Sequence, residues 1–297
     1  MKRLQGQIPP MVTPFDRGGN ICEASVATLV QFLNTKVQGL FVCGSYGCGP
    51  LMNVEERKSL VEMVSKHISP DLQFVVHVGT TNVRDSVELA RHAQDHGVHR
   101  VASVVPFYFH HDQENIKRFF ERLVGAVDIP VYFYNNPKLT GFSADIDFAR
   151  ELRDLGVAGI KDSSFDIVAF ERFERELGSS GFDVVLGTEA MFLSAAVLGA
   201  RAFIPGLGNA FPEVCNDLHE AAISGNLDEA RRAQSRVNAL RDIMYLAKST
   251  VVAVYSFLKI RNVCEAYPRE PFLPLGDTEL AKMTSELKEL GALEGRF

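Results

Sequence analysis

Short apolar runs alternate along most of this chain with longer stretches in which apolar residues recur every three or four positions. Eight of the runs read as strands: "IPPMVT" from Ile8, "GLFVC" from Gly39, "FVVHV" from Phe74, "RVASVV" from Arg100, "IPVYFY" from Ile129, "VAGIK" from Val157, "DVVLG" from Asp183 and "RAFIP" from Arg201. They are close to continuous in apolar and β-branched residues, the pattern of strands covered on both faces. The stretches between them read as helices. "NVEERKSLVEMVSKHI" puts Leu60, Val61, Val64 and Ile68 on one face and opens with Asn53 and Glu56 at capping-box spacing. "NVRDSVELARHAQDHG" ends at Gly97, suited to the left-handed position after a helix, and "FDIVAFERFERELG" aligns Phe170, Phe173 and Leu177 before Gly178. Eight strand–helix units in series predict an α/β chain closed into a (β/α)8 barrel, a TIM barrel; pattern alone leaves an open, doubly wound sheet as the alternative.

After the eighth run, "PEVCNDLHEAAISG" supplies a last barrel helix, and from Asn226 onward the chain is almost entirely helical. The expected division is a barrel over residues 1–225 and a C-terminal helical extension over 226–297, packed on it and interrupted by the Pro-rich "YPREPFLPLGD". At 297 residues the length suits a single barrel. The net charge of −6 comes from interspersed acids and bases, with no basic stripe, so nucleic acid is not an expected partner. The longest apolar stretch, "TVVAVYSFL", is too short for a membrane span, and "MKRLQGQIPPMVTPF" contains no apolar signal core; a cytoplasmic location is expected. The five cysteines (Cys22, Cys43, Cys48, Cys215, Cys264) form no C-x-x-C pair, which points to reduced thiols and not to disulfides or structural zinc.

In such a barrel the site lies at the C-terminal ends of the strands. Lys161 falls there after run six, Tyr134 after run five in "VYFYNNPKLTG", and Ser45 and Tyr46 after run two in "CGSYGCGP". A lysine in an apolar mouth loses solvation, its charged form is disfavoured, and the neutral amine can condense with a ketone to an imine. A tyrosine opposite can relay the protons that this requires. Gly44 and Gly47 let backbone N–H groups approach a small anion such as a carboxylate.

Four segments, "CGSYGCGPLMNVEER", "VYFYNNPKLTG", "AGIKDSS" and "YPREPFLPL", occur in the order and at the spacings that resemble the dihydrodipicolinate synthase and N-acetylneuraminate lyase superfamily, and the resemblance spans nearly the whole chain. It implies a class I aldolase or lyase that forms a Schiff base with pyruvate or another 2-oxo acid, without metal or organic cofactor. It implies Lys161 as the Schiff-base lysine, Tyr134 as the proton relay, and Ser45 and Tyr46 as the carboxylate-binding pair. Tyr108, in "VVPFYFHH", matches a tyrosine that in many members enters a neighbouring subunit's relay, and Ile204 a position whose backbone carbonyl faces the bound pyruvate. A homotetramer built as a dimer of dimers is the assembly implied.

Departures from the pattern bear on the substrate. Tyr46 stands where a threonine is common, Cys48 where many members carry a glutamate, and Leu139 where the synthases carry the arginine that grips aspartate semialdehyde. Losing that donor counts against the synthase reaction. Leu139 suits neuraminate lyase-like members, in which Glu189 of "GTEAMF" falls where an acid binds sugar hydroxyls; Gly187 of the same segment is counted with the expected substrate-binding residues. Several segments also resemble 2-keto-3-deoxygluconate aldolases, in which the position of Ser163 contacts substrate hydroxyls. A 2-keto-3-deoxy sugar acid is the expected substrate class. The alternatives are dihydrodipicolinate synthase, a sugar-acid dehydratase using the same imine, and a 2-oxo acid binding protein without turnover.

Structural readings stand beside these. Lys161 could be paired with Asp162 or Glu189, Tyr134 could be a barrel-lining aromatic, Ser45 a turn residue, and Glu189 an acid stabilised by a helix dipole. His92, His96 and His99 end a helix on the face opposite the expected site, where cations suit the dipole, and no metal is expected there.

Overall fold

The computed structural model describes residues 2–294. Among them, eight parallel strands run β1 (Gly6–Gln7), β2 (Gly39–Val42), β3 (Gln73–His77), β4 (Arg100–Ser103), β5 (Val131–Asn135), β6 (Gly159–Asp162), β7 (Asp183–Leu186) and β8 (Ala202–Phe203), with the spatial order β1-β8-β7-β6-β5-β4-β3-β2. The two ends of that order meet. Gln38 N donates to Gln7 O at 3.1 Å, Phe41 N to Pro9 O at 3.0 Å and Met11 N to Phe41 O at 3.0 Å. The sheet is therefore a barrel, and the open-sheet alternative falls.

Helices α1 (Glu23–Asn34), α2 (Val54–Ser65), α3 (Val83–Asp95), α4 (Gln113–Val124), α5 (Pro137–Thr140), α6 (Ile146–Asp154), α7 (Ile167–Leu177), α8 (Phe192–Val197) and α9 (Pro212–Ser224) follow the strands. The capping box on α2 is present: Glu56 N donates to Asn53 Oδ1 and Asn53 N to Glu56 Oε2, each at 2.9 Å. Gly97 has φ of 76°, the left-handed geometry the sequence called for. After α9 come α10 (Leu227–Met244), α11 (Thr250–Ile260) and α12 (Asp277–Glu289), matching the three helices expected in the extension.

The first strand departs from expectation. It lies at Gly6–Gln7, upstream of the run that starts at Ile8. Pro9 and Pro10 have no N–H to give to a ladder, so beyond Gln7 the chain follows the barrel wall through isolated bonds, such as Ile8 N to Phe203 O at 3.0 Å.

Strand alternation divides the apolar residues into two cores. Ile8, Phe41, Val75, Tyr132, Tyr134, Val185 and Ile204 fill the barrel interior, whereas Val42, Val76, Phe133, Ile160 and Val184 face the helices. The same alternation turns Lys161 inward, against Phe41 and Tyr134, while its neighbour Ile160 faces the helices.

Candidate active site

Lys161 and Tyr134 are register partners on β6 and β5, so the fold places them side by side. Lys161 is 4% exposed, and its Nζ lies 3.8 Å from the centre of the Tyr134 ring and 3.9 Å from that of Phe41. Burial holds its ammonium below the usual lysine range, opposed in part by the Tyr134 hydroxyl. The two acids that could have paired with it are taken. Asp162 accepts from Asn135 Nδ2 at 2.7 Å and from Ser164 Oγ at 2.8 Å. Glu189 pairs with Arg241 Nη1 at 2.6 Å and accepts from Gly206 N at 3.0 Å. Among the described residues, no ion pair includes Lys161.

Tyr134 is also buried, and its oxygen accepts from Asn136 Nδ2 at 3.0 Å. Burial alone would raise its phenol, but the Lys161 cation and the hydroxyls of Ser45 and Ser163, together with Asn136, bring it below the ordinary tyrosine value. The structure thus gathers Lys161, Tyr134, Ser45 and Ser163 into one group. Ile204 lies in the same interior cluster, and its N–H is spent on Leu186 O at 2.8 Å.

The loop after β2 is held tightly. Cys43 and Cys48 take left-handed φ values of 61° and 54°, and Gly49 N closes the turn onto Gly44 O at 3.0 Å. A Cβ at Gly44 would lie 2.7 Å from the Phe41 ring, and one at Gly47 would lie 2.8 Å from Met11 O. Both positions require glycine, which leaves the backbone open toward the mouth. Tyr46 packs its ring end against Gly206, where a Cβ would come within 2.6 Å of it. Burial pushes the Tyr46 phenol up and Glu189 adds to this, so the hydroxyl stays protonated. Cys48 is buried with Sγ 3.8 Å from Tyr255 Oη; burial raises its thiol and it is no nucleophile.

Gly187 is next to Ser163: a Cβ there would fall 1.9 Å from Ser163 Oγ and 2.7 Å from Asp162 O. Its contribution is close approach between the ends of β6 and β7. Each carboxylate oxygen of Glu189 has a partner within the chain, Gly206 N on one and Arg241 Nη1 on the other. Tyr108 and Leu139 are not brought to Lys161 within the chain. Tyr108 is 87% exposed with φ of 83°, edge-on to the exposed Phe109, and Leu139 is 62% exposed on α5.

Sequence reasoning missed several neighbours. His77, at the end of β3, is buried and stands edge-on to Tyr134 at 5.9 Å; burial, Arg57 and Lys161 keep its imidazole far below the usual histidine range and neutral. Arg57 is 3% exposed. Its place three and four residues before Leu60 and Val61 puts it on the buried face of α2, a signal the periodicity carried. Arg241, from α10, had no local signal. The histidine group at the end of α3 is also different from expectation: Glu62, from α2, comes within 2.9 Å of His92 Nε2, while His99 Nδ1 accepts from Phe74 N at 3.1 Å.

The family model of the Dihydrodipicolinate synthetase family matches residues 3–290. The chain belongs to that family. Members of the dihydrodipicolinate synthetase family are pyruvate-dependent carbon–carbon lyases, and the chain is an enzyme of this class. It is 32% identical over 285 residues to an N-acetylneuraminate lyase of Mediterraneibacter gnavus, covering 94% of this chain and 90% of that one. It is 28% identical to a 4-hydroxy-tetrahydrodipicolinate synthase of Chlorobium limicola, covering 97% and 98%. A prophage protein of the dihydrodipicolinic acid synthase family from E. coli K12, solved in complex with pyruvate, superposes with a TM-score of 0.92 at 26% identity, covering 97% and 99%. None of the helices of the described residues is long and apolar enough to cross a membrane.

Proposed function

We propose that the protein is a class I aldolase that cleaves a 2-keto-3-deoxy sugar acid, or a related 2-oxo acid, to pyruvate and an aldehyde through an imine on Lys161. The reading rests on one observation above the others: a buried lysine at the mouth, between two aromatic rings, with both nearby carboxylates engaged elsewhere.

The neutral amine adds its lone pair to the C2 carbonyl, whose oxygen takes one proton from the nitrogen and one from Tyr134 and leaves as water, giving the iminium and the Tyr134 phenolate. Tyr134, as phenolate, takes the proton of the C4 hydroxyl, and the C3–C4 bonding pair moves into the iminium. The aldehyde departs and an enamine remains. Tyr134 returns its proton to C3, and water hydrolyses the imine to free pyruvate and Lys161. The iminium is the electron sink, so the chemistry calls for no metal or organic cofactor. The loop at Gly44–Gly47 with Ser45 and Tyr46 would receive the C1 carboxylate, with the Ile204 carbonyl alongside, and Ser163 a substrate hydroxyl.

Tyr108 fits a relay residue lent to a neighbouring copy, which would make the active unit at least a dimer, with the tetramer expected from the family resemblance. The synthase reaction is disfavoured by Leu139, an aliphatic side chain at the position where a guanidinium would hold an acidic aldehyde. The test is reduction with borohydride in the presence of pyruvate, followed by peptide mapping. A reduced pyruvyl adduct on Lys161 is expected; a folded protein left unmodified at saturating pyruvate would remove the Schiff-base reading. Screening sugar acids then separates cleavage, which releases pyruvate, from dehydration, which does not.

A further inference from the structure

Behind the Gly44–Cys48 loop lies a buried cation, Arg57, that this mechanism does not use. Arg57 donates from Nη1 to Gly79 O at 3.0 Å and from Nη2 to His77 O, closing the end of β3. Its Nε has no hydrogen-bond partner. No ion pair among the described residues includes it, and the groups around it are neutral or cationic: the Cys43 thiol, the His77 imidazole and, beyond that ring, Lys161. A guanidinium buried without a counter-charge is among the costlier features a core can hold. Fastening two carbonyls does not require it, since a neutral amide would do that without the charge.

His77 connects this cation to the loop. Its Nε2 accepts from Val104 N at 3.3 Å, which leaves the proton on Nδ1, and Nδ1 donates to Cys43 O at 3.2 Å, with Arg57 Nη2 3.5 Å away. Cys43 is the residue before Gly44, so Arg57 stands one imidazole behind the backbone that faces the mouth. Asp162 is fastened by the neutral donors Asn135 and Ser164, and Glu189 is paired with Arg241, so neither acid is paired with Arg57.

We infer that Arg57 supplies the counter-charge for the carboxylate beside the reacting carbonyl, acting through His77 and the Cys43–Gly47 backbone and not by contact. It is a positioning residue. The inference rests on the Schiff-base reading and deepens it, because it limits productive ligands to 2-oxo acids in their anionic form.

The experiment compares pyruvate with its neutral methyl ester as the carbonyl partner in borohydride trapping, for the wild type and for Arg57→Gln and Arg57→Met, with folding checked by circular dichroism. In the wild type, half-saturation is expected at a concentration at least about tenfold lower for pyruvate than for the ester, the effect of one charge across an effective dielectric of about 20. In either folded variant, pyruvate weakens by about tenfold and the ester changes little, so the gap nearly closes. A variant in which both ligands weaken by the same factor makes Arg57 a structural residue and overturns the inference. So does a variant that leaves both unchanged, or a wild type that traps the ester as readily as pyruvate, an arm that needs no folded variant. A wild type trapping neither ligand removes the Schiff-base reading and this inference with it.

Discussion

Replacing Glu189 by Gln deletes the negative half of the Arg241 pair while keeping the side chain's shape. The pair joins the end of β7 to α10, with a 2.6 Å contact and side chains 2% and 9% exposed. In Glu189→Gln the amide oxygen can still accept from Gly206 N, so that bond survives. What remains is a buried guanidinium bonded to Tyr245 Oη and facing an amide dipole. Removing one partner of a buried pair costs about 3–5 kcal/mol, most of it the uncompensated charge. For 297 residues, the unfolding entropy near the midpoint is about 0.6 kcal/mol per kelvin, so the melting temperature should fall by about 5–8 °C. The assay is a thermal melt of the wild type, Glu189→Gln, Arg241→Met and the double variant. Because the double variant leaves no charge behind, it should recover at least half of the loss. A fall below about 1 °C, or a double variant as unstable as the two singles added, would refute the claim that this pair is desolvated and coupled.

Three further outcomes follow from the same geometry. Tyr134→Phe keeps the ring over Lys161 but removes the relay oxygen, so kcat should drop by about 10²–10³-fold while the melting temperature moves little; a near-normal kcat assigns the proton transfer to another group. Gly187→Ala forces a methyl into Ser163 Oγ and the backbone of Asp162, one residue from Lys161, and a displacement of about 1 Å there should lower kcat/KM by about 10²-fold; an unchanged crystal position of Ser163 with full activity contradicts it. The lowered Lys161 pKa also has a sign in stability. Between that lowered value and the unfolded value near 10.4 the unfolded chain holds a proton that the folded chain lacks, so this group makes stability rise with pH across the window. Lys161→Met should remove that rise in pH-dependent denaturant melts, and an identical slope in both proteins shows that Lys161 is not the group responsible.

The barrel and its reactive pair were legible because both rest on local pattern. Buried parallel strands are apolar throughout, and their spacing by amphipathic helices needs no knowledge of contacts; Lys161 is conspicuous as the one ammonium placed at the end of such a run. The Asn53 and Glu56 box and the turn at Gly97 could be read for the same reason, since their partners lie within four residues. The first strand was misplaced because the apolar signal of "IPPMVT" outweighed the missing donors of its two prolines. The ion pair of Glu189 could not be read, because Arg241, its partner, lies 52 residues further on.

Periodicity therefore determined the architecture, the face on which each strand residue stands and the presence of a lysine where a charge is costly. The tertiary structure alone decided what that lysine meets. Closing eight strands into a ring sets Lys161 beside Tyr134 by register, brings Phe41 across the barrel to cover it, and commits Asp162 and Glu189 to other partners. It also turns Tyr108 out to solvent and buries Arg57 with no acid beside it. The physical reason is that the cost of a buried charge depends on every group within a few ångströms, and at this mouth those groups come from strands, loops and a C-terminal helix far apart along the chain.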